Sequence, residues 1–219
     1  MSPAGGEPKP KPQFRGVFHL WAFPVAVAGG VILVASAADG KARLALGIYG
    51  AALTALFGVS ALYHRIDWEP RPRQWMRRLD HSMIFILIAA TYTPFALLVI
   101  ESTLADVVLA VVWVGAIGGV VLNLFWPNQP KWVASLAATA MAPPLIVALP
   151  DLVAATDAGA LILLGGGLAV YGVGAAVYAA QRPDPAPAIF GYHEILHVLV
   201  IAAAAIQFAA VAIYAAPGG

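Results

Sequence analysis

Seven apolar stretches, each close to the roughly 20 residues that a helix needs to cross the hydrocarbon core of a membrane, constrain the fold most. Short connections separate them. The predicted spans are 17–38, 43–64, 80–100, 105–125, 132–150, 158–180 and 193–215. They are too long and too little alternating for the strands of a membrane barrel. The sequence therefore predicts an all-α integral membrane protein: a disordered tail over residues 1–15, then one domain of seven transmembrane helices over residues 16–219.

The composition agrees with a membrane protein. Hydrophobic residues make up 61% of the 219 positions and charged residues only 11%, whereas a soluble domain is about half apolar and a quarter charged. The chain has no cysteine, so it can form neither a disulfide framework nor a thiolate metal site. Any zinc site would have to use imidazole and oxygen ligands.

The distribution of basic residues predicts the orientation of the chain. Of 12 Lys and Arg residues, all but Lys41 and Arg43 fall in the N-terminal tail or in the loops on the same side of the membrane. Because cytoplasmic loops are enriched in Lys and Arg, we expect a cytoplasmic N-terminus and an external C-terminus.

The first stretch, followed by "ASAAD", also has features of a signal peptide. We expect an uncleaved anchor instead, since the apolar run is long and Pro24 interrupts it.

The last stretch begins with the sequence HEILH, residues 193–197. His193 and His197 are four residues apart and therefore lie on one face of a helix. In zinc metalloproteases an H-E-x-x-H pattern supplies two metal ligands and a glutamate that activates water. Here Glu194 is about 80° from the midline between the two histidines, so we expect it to flank the site rather than face it. The alternative is a pair of interfacial histidines with no metal.

Topology brings further polar residues to the depth of this pair. His64 ends the second predicted helix and Asp80 begins the third, both at the same side of the membrane as His193 and His197. Three imidazoles and a water would make a four-coordinate zinc site with one position available for chemistry. Asp80 could orient the water and accept its proton. The structural alternative is that Asp80 caps the N-terminus of the third helix.

Three other polar residues lie near this region. Ser60 shares a helix face with His64 and could bond the water or a reacting carbonyl oxygen; alternatively, its hydroxyl bonds the Leu56 carbonyl. His19 is expected to support the site as an interfacial or outer-shell residue. His81 points about 100° away from its neighbour Asp80 and is expected to be structural.

Four motifs resemble those of a known family. They are "RGVFH" before the first helix, "SALYH" ending the second, "LDHSMIFILIAATYTPF" opening the third and "GYHEILH" opening the last. Together they resemble the bacterial hemolysin III family, which is related to the progestin and adipoQ receptors and more distantly to alkaline ceramidases. The resemblance implies a seven-helix protein of the bacterial plasma membrane, with zinc held near its cytoplasmic side by His64, His193 and His197. Asp80 and Ser60 would attend the water.

These observations favour a zinc-dependent hydrolase of a lipid amide or ester, similar to the ceramidases, with membrane lipids as partners. A receptor or sensor with structural zinc is a second hypothesis. A membrane-permeabilising cytolysin is a third, although the helices carry no evident polar stripe.

An intramembrane protease would need a third ligand after His197, where only Gln207 and Tyr214 carry notable polar groups. A diheme cytochrome would need histidines paired across facing helices. No nucleic-acid signature is present beyond loop arginines, which membrane topology already explains.

Overall fold

The computed structural model describes residues 12–100 and 102–216. Its helices are α1 (Val17–Ala35), α2 (Gly40–Arg65), α3 (Pro70–Leu98), α4 (Thr103–Phe125), α5 (Lys131–Thr139), α6 (Pro143–Ala155), α7 (Ala158–Ala180) and α8 (Tyr192–Ala210), the last continued by a π-helical turn, Val211–Ala215.

These helices form seven segments that are long and apolar enough to span a membrane, with α5 and α6 together making one of them. The prediction of an all-helical, seven-span membrane protein is confirmed. By length and composition, the seven apolar segments fit a multi-pass membrane protein.

Two helices differ from their predicted bounds. α3 begins at Pro70, ten residues before the predicted start, because proline is well suited to the first helical position and the arginine-rich opening turns lack the hydropathy of the membrane segment. The fifth predicted span is interrupted: α5 ends at Thr139 and α6 resumes at Pro143. Pro143 and Pro144 at this break lack backbone donors and suit the start of a new helix better than a helix interior.

From α1 to α4 each helix packs against the next, α7 packs against α8, and α5 and α6 lie against α7 and α4 respectively. α8 also contacts α1, and its π-helical turn contacts α3. The α1–α2 contact is close because Gly30 faces Gly50, where a Cβ would lie 2.9 Å from the Gly30 Cα. The most buried spans are those of α2, α3 and α8. These three helices carry His64, Asp80 and the HEILH histidines to the interior.

Residues 12–16 form a turn before α1, which we call the N-terminal turn. The amides of Gln13 and Phe14 donate to the carbonyls of Ala188 and Ile189, at 3.1 and 3.2 Å. The N-terminal turn is thereby joined to the loop before α8. The remainder of the predicted disordered tail, residues 1–11, lies outside the described residues.

Candidate metal centre

Three histidines from two helices converge at one end of the bundle. His64 lies at the end of α2, and His193 and His197 lie in the first two turns of α8. One ring nitrogen of each lies within 4.8 Å of a ring nitrogen of the other two, and the Nε2 atoms of His64 and His193 are 3.2 Å apart. His64 and His197 are buried and His193 is partly buried. The three histidines singled out in the sequence are therefore brought together, and they could hold a metal ion.

The spacing of one pair of these nitrogens suits a small metal ion. With zinc–nitrogen bonds of about 2.0–2.1 Å, two imidazole nitrogens on one tetrahedral ion are roughly 3.3 Å apart, close to the 3.2 Å between His64 and His193. Nδ1 of His197 is buried and has no hydrogen-bond partner among the described residues. An unpartnered buried nitrogen is costly unless something occupies it. Imidazole donors suit zinc, copper, iron and nickel, so the donor set alone does not select one metal.

Asp80 stands beside this cluster. Its Oδ2 lies 3.7 Å from the Nε2 of His64, and its side chain is only 12% exposed. Because α3 begins at Pro70 with Glu69 at the cap position, Asp80 lies in the third turn of the helix. The alternative role of Asp80 as a helix cap is therefore wrong.

Ser60 and His19 form a second layer around the histidines. The Ser60 Oγ pairs with the Nδ1 of His19 at 2.8 Å and also interacts with the carboxyl of Asp80. The ring of His19 stacks on that of His197, with centroids 3.9 Å apart and planes 9° apart. The structure thus links Ser60 to the cluster through His19 and Asp80. The alternative, a hydrogen bond from Ser60 to the Leu56 carbonyl, is not what the structure shows. His19 belongs to the same buried group.

Glu194 is fully buried but turned away from the histidines by its own partners. Its Oε1 accepts a 2.5 Å hydrogen bond from the Nε of Arg15, and its Oε2 accepts one of 2.8 Å from the amide of Gly191. The carboxylate therefore closes the first turn of α8 and anchors the N-terminal turn. Sequence reasoning missed the Arg15 pairing, although the spacing of Gly191 and Glu194 matches the N-cap and N3 positions of a capping box.

Gly16 brings the N-terminal turn into contact with His64. Its φ of 77° lies in the left-handed region, and a Cβ there would clash with the Cβ of His64. Only glycine meets both conditions without strain. Chain from the N-terminal turn thus covers one side of the histidine cluster, which no periodicity in the sequence indicates.

A cavity of about 420 Å³ leads away from the histidine cluster through the bundle. His19, Ser60, Asp80, His193 and His197 line its polar end. The rest of the wall is mainly apolar and continues along α3 past Phe95 and Ala96, and then to Ile100 just after the helix ends. Between Asp80 and Ala96 the helix rises roughly 24 Å at about 1.5 Å per residue. This exceeds the depth of one leaflet, half of an apolar core of about 30 Å.

His81 also lines the cavity, but it is not part of the three-histidine cluster. Its ring makes an edge contact with Tyr178, with centroids 6.4 Å apart. His81 thus lines the cavity beside Tyr178 without joining the histidine cluster.

Comparison with known proteins identifies the relatives of this chain. The family described as "Haemolysin-III related" matches residues 8–208. The chain is 31% identical to "Hemolysin-3" of Bacillus cereus, over 93% of this chain and 89% of the relative. It is 32% identical to "Hemolysin-3 homolog" of Bacillus subtilis, over 76% of this chain and 75% of the relative. It is also 27% identical to human "Monocyte to macrophage differentiation factor", over 96% of this chain and 88% of the relative.

Proposed function

We propose that this chain, which belongs to the haemolysin-III related family, is a zinc-dependent membrane hydrolase that cleaves an amide or ester bond of a lipid. The observation that carries the proposal is the position of the three-histidine cluster at the polar end of a long apolar cavity. Such a cavity suits an acyl chain, and its volume is within the range of about 300–1,000 Å³ typical of ligand sites.

His64, His193 and His197 would hold the zinc, all through neutral imidazole nitrogens. A bound zinc ion would supply Lewis-acid chemistry, lowering the pKa of water and polarising a carbonyl oxygen. The carboxylate of Asp80, beside His64, is suited to accept a proton from the attacking water and to return it to the leaving amine or alkoxide. Its burial beside the cluster supports that role.

Ser60 and His19 would orient the reacting groups. The Ser60 hydroxyl is suited to donate to the Asp80 carboxylate and to accept a hydrogen bond from the attacking water. His19 fixes Ser60 from one side and stacks on His197 on the other. The glutamate of HEILH has no part in proton transfer in this proposal, because both of its oxygens already have partners.

We also propose that the histidine end of the bundle faces the cytoplasm. Its support is the distribution of basic residues, since Arg71 and Arg77 lie in the arginine-rich opening turns of α3 at this end of the bundle. The acyl linkage would then be drawn from the inner leaflet. Protease accessibility of a tag at the C-terminus in intact cells tests the orientation.

The test of the hydrolase is zinc quantification combined with mass spectrometry of lipid products for the purified protein. We expect about one zinc per chain and release of a fatty acid, with Asp80→Asn retaining the zinc and losing turnover. The proposal would be refuted if the wild-type protein contained no zinc and if neither His64→Ala nor His197→Ala changed the lipid products. Full turnover in Asp80→Asn would refute the role of Asp80 alone.

A membrane-permeabilising activity is the second candidate, favoured by the names of the two Bacillus relatives. The mainly apolar cavity wall argues against a wide aqueous channel through one chain. Dye release from liposomes decides between the two functions. Release that Asp80→Asn leaves unchanged would favour the cytolysin.

A further inference from the structure

Lys131 occupies an unusual position at the histidine end of the bundle. It begins α5, and its Nζ donates a hydrogen bond to the hydroxyl of Tyr192. The same ammonium lies 4.4 Å from the ring centroid of Tyr192 and 5.2 Å from that of Tyr178. Tyr178 lines the cavity, as does Ser135 one turn into α5. The side chain is therefore folded over two aromatic rings at the cavity end instead of extending into solvent.

A second cation approaches the same end of the cavity from α3. The Arg77 Nη1 donates to the Oδ1 of Asn128 at 2.9 Å. Asn128 precedes Lys131 by three residues, so this hydrogen bond brings the Arg77 guanidinium to the segment that begins α5. Two positive charges, on α3 and α5, therefore converge on the connection between α4 and α5, next to the cavity end that Tyr178 and Ser135 line.

Neither cation has a counter-charge in the described part of the chain. The ion pairs there join Arg15 to Glu194 and His64 to Asp80, and no carboxylate comes within 4.0 Å of Lys131 or Arg77. Both side chains are partly buried. A partly buried cation without an anion is costly, and aromatic rings offset only part of that cost. An anion between the two would complete the arrangement.

We propose that Lys131 and Arg77 bind the phosphate of an anionic lipid headgroup, which we call the headgroup site. The proposal rests on the proposed function, because it assigns the substrate class to anionic phospholipids whose acyl chain occupies the cavity. Lysine supplies a point charge and arginine a planar donor pair, the usual partners of a phosphate. Tyr178 and Tyr192 hold the ammonium in place, so less side-chain freedom is lost when the ligand binds.

Binding of short-chain phosphatidylglycerol to the purified, full-length protein tests the headgroup site without requiring turnover. We expect Lys131→Met and Arg77→Met each to weaken binding roughly ten- to a hundredfold, the loss of one charge-assisted contact. Short-chain phosphatidylcholine should bind more weakly than phosphatidylglycerol to the wild type, and Lys131→Arg should retain most of the affinity. Melting temperature and metal content show whether each variant is folded.

Arg71→Met and Arg73→Met are the matched controls, since both residues are exposed on the first turn of α3. If these controls weakened lipid binding as much as Lys131→Met and Arg77→Met do, the binding would be due to general surface charge. That result would overturn the proposal. Inorganic phosphate binding as tightly as the lipid would also overturn it, because the lipid would then add nothing. Equal affinity of the wild type for phosphatidylcholine and phosphatidylglycerol is a third contrary result.

The outcome is separable from that of the hydrolase proposal. Lys131-dependent lipid binding with no zinc and no products would keep the headgroup site and remove the hydrolase. Products formed equally fast and with equal KM from anionic and zwitterionic lipids would keep the hydrolase and remove the headgroup site. If both hold, Lys131→Met raises KM for the anionic substrate with little change in kcat.

Discussion

The ring of His19 lies flat against the ring of His197, with centroids 3.9 Å apart, while its Nδ1 pairs with the hydroxyl of Ser60 at 2.8 Å. His19 comes from α1 and His197 from α8, so the contact joins the first and last helices at the histidine cluster. Groups behind a metal ligand hold its ring in the orientation that coordination needs. His19 is therefore expected to act on the metal through His197 and on the reaction through Ser60.

Replacing His19 by alanine removes both contacts at once. We expect His19→Ala to lower metal affinity roughly 10- to 100-fold, as for other residues that orient a ligand. His19→Phe keeps an aromatic ring for stacking and should recover more metal affinity than activity, because Ser60 still loses its partner. Trp21→Phe, at a strongly exposed position on the same helix, is the control. Equal metal affinity in wild type and His19→Ala, measured by competition with a zinc chelator, would contradict the role.

Removal of the metal should destabilise the protein. An ion that binds only the folded state contributes stability that rises with its free concentration. A chelator is therefore expected to lower the melting temperature, and added zinc to restore it. His64→Ala should melt at the lower temperature and respond little to either addition. If the chelator did not change the melting temperature of the wild type, the histidines would hold no metal in the purified protein.

Gly16→Ala tests the contact between the N-terminal turn and His64. The left-handed backbone at Gly16 costs a non-glycine residue about 1–3 kcal/mol, and the added Cβ would clash with the Cβ of His64. We expect a lower melting temperature together with reduced zinc content. Gly118→Ala provides the comparison, because a Cβ there has no neighbour within 4 Å and alanine favours a helix by up to about 1 kcal/mol. Similar effects of the two substitutions would argue against the close contact.

Gly167→Ala tests the packing of α7 against α8. A Cβ at Gly167 would come within 2.6 Å of the Nε2 of Gln207, which donates to the Leu164 carbonyl. We expect a loss of stability of about 1–3 kcal/mol, the usual cost of overpacking a close contact. Gly166→Ala, at the preceding position in the chain, meets nothing within 4 Å and should be neutral or slightly stabilising. The difference in melting temperature between these neighbouring variants is the measurement, and its absence would count against the close packing of Gln207 on Gly167.

Asp157 makes part of the stability depend on pH at the opposite end of the bundle. Hydrogen bonds from the Tyr214 hydroxyl, at 2.8 Å, and from the amide of Gly159 hold the pKa of Asp157 below its usual range. A lowered folded-state pKa means that the ionised carboxylate stabilises the fold above the unfolded pKa, and that this contribution is lost as the pH falls through the folded pKa. Asp157→Ala should therefore melt earlier than wild type at pH 7, and the two should converge in acid. In a Tyr214→Phe background, the difference in melting temperature caused by Asp157→Ala should be smaller. A difference that does not change with pH would refute the lowered pKa of Asp157.

The seven spans and the shared face of His193 and His197 follow from the sequence because both depend on local properties. A run near 20 apolar residues meets the thickness of the membrane, and helical periodicity aligns positions four apart. The depth shared by His64 and Asp80 follows from the order of the spans. Hydropathy alone, however, misplaced the start of α3 and left Asp80 open to interpretation as a cap.

Only the tertiary structure decided which side chains meet. It stacked His19 on His197, paired Glu194 with Arg15, and ran an apolar cavity from the histidines towards Ile100. Each of these features is formed by helices or loops that are far apart in the chain. The distance between such segments depends on how several helices pack together. The H-E-x-x-H pattern illustrates the difference: its spacing fixed the pair of histidines, whereas the glutamate's role was decided by an arginine 179 residues away.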